Sequence, residues 1–274
     1  MDRTREAPRE ESDGVLDRSA IGVCVLHGFT STTQSVAPLA DALAAAGYGV
    51  DLPLLPGHGT DWRDLAGTPH RRILRAALAS WDRTAARHRA VAVVGLSMGG
   101  ALALHVAARR DVLAVVAINP GLRLKPGTAA AARLLHPVVA SVAGVAGDIA
   151  REEVEEVAYP RTPVRGVVEL DRLARTVRRE LPLITCPILL ARSASDSVLP
   201  ASAADTLVTR ARRAPMEQLL LPRSRHVATL DHDAELLARR AVGHIDRAAL
   251  DRAARGHDPR PRPRPRPRPT RSRP

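Results

Sequence analysis

Five aromatic side chains, Phe29, Tyr48, Trp62, Trp81 and Tyr159, are all that a chain of 274 residues contains. Aromatics usually carry a large share of buried area, so here Ala and Val must fill the core. Lysine is scarcer still: of 41 basic residues only Lys125 is one. So heavy a tilt to Arg, Ala and Pro reads as the composition of a GC-rich genome, and little mechanism can rest on a single arginine. The two cysteines, Cys24 and Cys186, form no spaced metal motif, and each lies in or beside an apolar run that suits a buried free thiol. No stretch reaches the roughly 18 to 20 apolar residues that span a bilayer. The charged opening MDRTREAPREESDG has no apolar core of a secretory signal, so a cytoplasmic protein without a transmembrane segment is expected.

What is abundant is positive charge, with a formal net of +12. Residues 256–274 hold seven Arg and one Asp, a net +6, which leaves +6 on the rest. Arg and Pro alternate there, so backbone donors are missing at every second position and there is no apolar surface to bury. An extended, disordered Arg-Pro tail is expected. It could bind a polyanion, although it offers no aromatic residue for base stacking.

From residue 21 onward short apolar runs alternate with helical stretches, the pattern of βαβ units and a mostly parallel sheet. Strands are expected over 21–26, 48–52, 91–96, 113–118, 188–191 and 218–221. Helices are expected over 35–46, 70–87, 98–109, 202–212 and 233–255. The rhythm breaks over 121–182, where Ala-rich and charged helical stretches run without a clear strand, and a small helical cap is expected. The organisation is therefore an N-terminal arm over 1–20, a doubly wound α/β domain over 21–255 carrying the cap, and the tail over 256–274.

Gly95-Leu96-Ser97-Met98-Gly99-Gly100 lies between an expected strand and an expected helix. A Gly-x-Ser-x-Gly turn of this kind holds its serine at strained backbone angles, and the glycines remove side chains that would collide. The turn presents Ser97 Oγ at the end of the sheet and sets the first helical amides, Met98 N–H among them, under a reacting carbonyl. A second motif, His27-Gly28-Phe29-Thr30, follows the first strand and places the Phe29 N–H as the partner donor. His27, at the strand end before a glycine, is read as structural. A serine hydroxyl needs an imidazole base, and the imidazole an acid. Asp196 lies on the loop after a late strand, while Asp205 is deeper in the next helix. His226 closely follows the last strand, while His232 sits nearer the final helix. Asp231, His232 and Asp233 lack the spacing of a metal site, and no metal or cofactor is expected.

Leu26-His27-Gly28-Phe29-Thr30, Leu55-Pro56-Gly57-His58-Gly59-Thr60-Asp61-Trp62, Gly95 to Gly100, Asp196-Ser197-Val198-Leu199-Pro200 and His226-Val227-Ala228-Thr229-Leu230-Asp231 occur in this order. Together they resemble the α/β-hydrolase superfamily, and within it the bacterial carboxylesterase and monoacylglycerol-lipase-like branch grouped with serine aminopeptidase-like hydrolases. The resemblance covers nearly the whole folded body. It implies the chain order nucleophile, acid, histidine, hence Ser97, Asp196 and His226, with the Phe29 and Met98 amides as oxyanion hole. It further implies hydrolysis of short to medium acyl esters or monoacylglycerols without a cofactor, under a cap inserted after the family's sixth strand. His58 is read as structural. The chain departs from the family at 68–72, where a tryptophan-rich stretch is usual, in lacking recognisable strands before residue 21, and in the tail. A thioesterase, amidase or acyltransferase could use the same residues. A small-molecule ester is the expected partner, nucleic acid is not required, and either a monomer or a homodimer suits the sequence.

Overall fold

A computed structural model describes residues 16–144 and 147–256. Most of the N-terminal arm and the Arg-Pro tail from residue 257 lie outside the described residues. In chain order the elements are β1 Ile21–Leu26, α1 Ala37–Ala45, β2 Gly49–Asp51, α2 Trp62–Gly67, α3 His70–Ala85, β3 Ala90–Leu96, α4 Met98–Ala107 and β4 Val115–Ile118. They continue with α5 Thr128–Leu135, β5 Ser141–Ala143, β6 Arg161–Pro163, α6 Val164–Glu180, β7 Ile188–Ser193, α7 Ser202–Arg210, β8 Met216–Leu221 and α8 Ala234–Ala254.

Six strands form one sheet in the order β2-β1-β3-β4-β7-β8, each pair parallel. Its side chains divide by alternation. Cys24, Leu26, Val91, Val93, Val115, Ala117, Ile188 and Leu190 face a core shared with α3, α4, α6 and α7. Val23, Val25, Ala92, Val94, Val116, Ile118, Leu189 and Ala191 face one shared with α1 and α8. Both faces are covered, which is why the strands read as unbroken apolar runs. All of β1 and nearly all of β3 are buried although neither contains an aromatic residue. The α/β-hydrolase fold expected from the sequence is the observed one.

Differences are local. β2 is three residues long, and β4 starts at Val115. The expected helix over 35–46 begins as a 3-10 turn, Thr33–Val36, before the α-helix starts with Pro38 in its first turn. Between β4 and β7 the chain is not purely helical: β5 and β6 pair as an antiparallel hairpin between α5 and α6. α6 then leaves the cap and packs on α3 and α4.

Candidate active site

Strand order reverses between β1 and β3, since the chain moves outward one way to β2 and the other way to β4, β7 and β8. Ligand sites of open parallel sheets form at such a switch point, beyond the carboxyl ends of the strands. Ser97 follows β3 there, beside the loop that follows β1, with Leu26 and Gly95 paired in register.

Ser97 has φ 57° and ψ −115°, a conformation that side chains rarely adopt. Its N–H donates to the Ile118 carbonyl at 2.9 Å, and its carbonyl accepts the Gly121 N–H at 2.8 Å and the Ala101 N–H at 3.1 Å. The turn has no room for side chains at two glycines. A Cβ on Gly95 would lie 2.1 Å from the Gly99 carbonyl oxygen, and one on Gly99 1.9 Å from that of Leu26. Among the described residues the Phe29 and Met98 amides have no hydrogen-bond partner. Both residues and Ser97 line one cavity of about 470 Å³.

His226 lines the same cavity and is buried. Its Nδ1 lies 2.8 Å from Asp196 Oδ2. A carboxylate partner there fixes the proton on Nδ1 and leaves Nε2 as the acceptor. The other oxygen, Asp196 Oδ1, accepts the Val198 and Leu199 amides at 2.8 and 2.9 Å. Burial alone would raise the Asp196 carboxyl, but His226 and these two amides outweigh it and hold its pKa below the ordinary value. Asp205 is exposed on α7. His232 is exposed as well, while Asp231 and Asp233 spend their oxygens elsewhere. Asp231 accepts the amides of Ala150, Arg151, Arg225 and His232, and Asp233 binds the Arg223 amide and Ser224 Oγ. For Asp231, burial again raises the carboxyl and the backbone donors, Arg225 first, reverse the sign.

The two other motif histidines meet edge to face, with ring centroids 4.9 Å apart. His27 Nδ1 sits 2.9 Å from the Gly28 carbonyl, and its Nε2 accepts the Leu55 N–H at 3.0 Å. Burial, with the nearby His58 ring second, pushes its pKa down to about 3. His58, stacked on Tyr159 with ring centroids 6.4 Å apart, is pushed down by burial to about 4. Both rings are buried, and each sets its Nδ1 against a backbone carbonyl.

Two residues that bond to the backbone of His226 draw no site reading from the sequence. Asn119, in Asn119-Pro120-Gly121 after β4, carries only the general signal that Asn tolerates a positive φ at a turn. Asp148 lies in the stretch 121–182 expected as a cap, and it borders the cavity and bonds to the His226 segment.

Residues 18–233 match the sequence profile of the family described as Serine aminopeptidase, S33. The chain is 34% identical over 227 residues to a thermostable monoacylglycerol lipase of Bacillus sp. (strain H-257), covering 82% of this chain and 90% of the relative. It is 23% identical over 223 residues to a carboxylesterase of Bacillus subtilis (strain 168), covering 78% and 88%. A solved structure from work on two metagenome-derived lipolytic enzymes, LipS and LipT, superposes with a TM-score of 0.80 at 34% identity, over 83% of this chain and 94% of that one.

Proposed function

The chain belongs to the serine aminopeptidase S33 family of α/β hydrolases, and on that premise we propose that it hydrolyses short to medium acyl esters or monoacylglycerols through an acyl-enzyme on Ser97. The observation that carries the reading is the hydrogen bond between Asp196 and His226, whose ring lines the cavity that Ser97 also lines. In the proposed cycle Ser97 Oγ attacks the ester carbonyl while His226 Nε2 takes its proton. The Phe29 and Met98 amides hold the oxyanion, and His226 returns the proton to the leaving alcohol. Water activated by the same imidazole then releases the acid. Loss of one oxyanion donor of this kind costs about 10²–10³ in rate.

The substrate class follows from the cavity. Met98, Leu124, Val167, Leu170, Leu199 and Val227 supply an apolar wall for the acyl chain, and the volume falls in the range of roughly 300–1,000 Å³ that takes a small organic ligand. The cap segment, taken as 121–182, supplies Leu124, Val167 and Leu170 to that wall. Cys24 and Cys186 are unpaired thiols, which suits a reducing compartment, and a cytoplasmic site of action goes with the proposal. Among the described residues no helix is long and apolar enough to cross a membrane.

A fluorophosphonate should label the wild type at Ser97, and Ser97→Ala should abolish labelling and turnover of p-nitrophenyl esters while the protein stays folded. Asp196→Asn should lower kcat by orders of magnitude, since the imidazole then loses its tautomer control. Asp205→Asn should not. The reverse order of the two Asp variants would reassign the acid. Turnover of thioesters or amides alone, in a panel that includes monoacylglycerols, would sink the ester reading.

A further inference from the structure

Neither Asn119 nor Asp148 carries a reactive role in the proposed cycle, yet each ties the acid segment to the histidine segment. Asn119 is buried at the end of β4 with φ 40°. Its Oδ1 accepts the Ser193 N–H at 2.8 Å, and its Nδ2 donates to Ser193 Oγ at 2.9 Å and to the His226 carbonyl at 2.8 Å. Ser193 Oγ in turn donates to the Arg225 carbonyl at 2.7 Å. Asp148 closes the other side. Its Oδ2 accepts the Ser197 N–H at 3.0 Å and the His226 N–H at 3.1 Å, while its carbonyl accepts the Val227 N–H at 3.1 Å. The N–H and the carbonyl of His226 are therefore both held by side chains. Each of those side chains also holds a residue close to Asp196, Ser193 on one side of it and Ser197 on the other.

We propose that Asn119 and Asp148 are positioning residues for His226, a reading that rests on Ser97, Asp196 and His226 being the triad. Among the described residues the imidazole has only its Nδ1 contact with Asp196 to orient it from the side chain. The rest of its placement comes from the backbone of residue 226, which Asn119 fixes from the sheet and Asp148 from the cap. Misplacement by about 1 Å at a reacting group can cost on the order of 10² in rate. A non-glycine residue at positive φ persists where its surroundings over-determine it, and the three side-chain bonds of Asn119 do so. Asp148 also makes the triad sensitive to the cap segment, because the same oxygen bridges the acid and histidine loops.

Asn119→Asp keeps an acceptor for the Ser193 N–H but loses the donors to Ser193 Oγ and to the His226 carbonyl. Asp148→Ala loses both bonds, and Asp148→Asn keeps an acceptor oxygen. Asn119→Asp and Asp148→Ala should each lower kcat, and the second-order rate of Ser97 phosphonylation, by about 10²-fold with KM within about threefold. Asp148→Asn should recover at least about tenfold of the alanine loss, and the double variant should lose less than the product of the singles because both act on one imidazole. Should Asn119→Asp not fold, Asn119→Gly, which removes the side-chain bonds while relaxing φ, is read in its place and should show the same loss. Rates within about threefold of wild type in folded variants, or losses that only track the folded fraction, would overturn the proposal. The phosphonylation rate reads His226 whether or not an ester is the substrate. A wild type that phosphonylates at Ser97 but turns over no ester therefore sinks the ester reading and still tests positioning. A fully active wild type beside unaffected variants sinks positioning alone.

Discussion

Ser97 is held where few side chains go, and that strain has a measurable consequence separate from catalysis. A non-glycine residue in such a region costs about 1–3 kcal/mol, while glycine in place of alanine costs about 0.5–1 kcal/mol in chain entropy. Relief of strain therefore outweighs the added chain entropy. Ser97→Gly should melt above Ser97→Ala, by about 2–4 °C for each net kcal/mol in a domain of this size. Calorimetry of the two variants decides it, and an equal or lower midpoint for the glycine variant would mean that the turn is relaxed. The elbow was legible in the sequence because much of its constraint is local: Gly95, Ser97 and Gly99 meet within one turn, and the clash of a Cβ at Gly95 with the Gly99 backbone is built into their spacing. His226 and Asp196 were legible by their order after strands. Asn119 and Asp148 were not, since they meet His226 across 107 and 78 residues through backbone atoms that every residue type shares.

The inner strands β1, β3, β4 and most of β7 were legible because they are buried on both faces and so form apolar runs, whereas the edge strands β2 and β8 are only partly buried. The hairpin of β5 and β6 was not legible: its strands are three residues each, mostly exposed in β5, and neither carries a periodic pattern. α6 is the element that joins the cap to the sheet. At its start Gly166 lies against Phe29, where a Cβ would come within 3.1 Å of the ring. At its end the buried Glu180 binds His105 Nδ1 of α4 at 2.6 Å and the Arg109 guanidinium. Burial alone would raise the Glu180 carboxyl, but His105 and Arg109 together bring it below its ordinary value of 4.5. A carboxyl depressed on folding adds stability that is fully present above the unfolded pKa and is lost as pH falls through the folded one. Glu180→Gln keeps the shape and removes the charge, so it should cost about 2 kcal/mol at pH 7, in the range of hydrogen bonds to charged groups. The gap between wild type and variant in urea unfolding should shrink as pH drops below 4.5. A gap unchanged at about pH 2.5 would show that the carboxylate is not its source.

At the scale of the whole molecule the chain separates charge from chemistry. The residues bordering the cavity run from Gly28 to Val227, and α8 follows as a packing element. Leu237, Ala241, Ile245 and Ala248 of α8 cover one face of the sheet. Removal of the chain from residue 234 would uncover that face, whereas residues 257–274 contain no apolar side chain other than proline to bury. Their removal does take away seven Arg and one Asp, six of the twelve net positive charges. The truncated protein should therefore keep its melting midpoint within about 1 °C and its kcat/KM on a p-nitrophenyl ester within about twofold. Its affinity for a polyanion should change instead. If all seven arginines engage phosphates of duplex DNA, each contributes about 0.9 to the slope of log affinity against log salt, so truncation should flatten that slope by up to about 6. Salt titrations of DNA binding for the full and truncated chains read the difference directly. Equal slopes would place any polyanion contact on the body, and a loss of turnover on truncation would show that the Arg-Pro segment supports the active site.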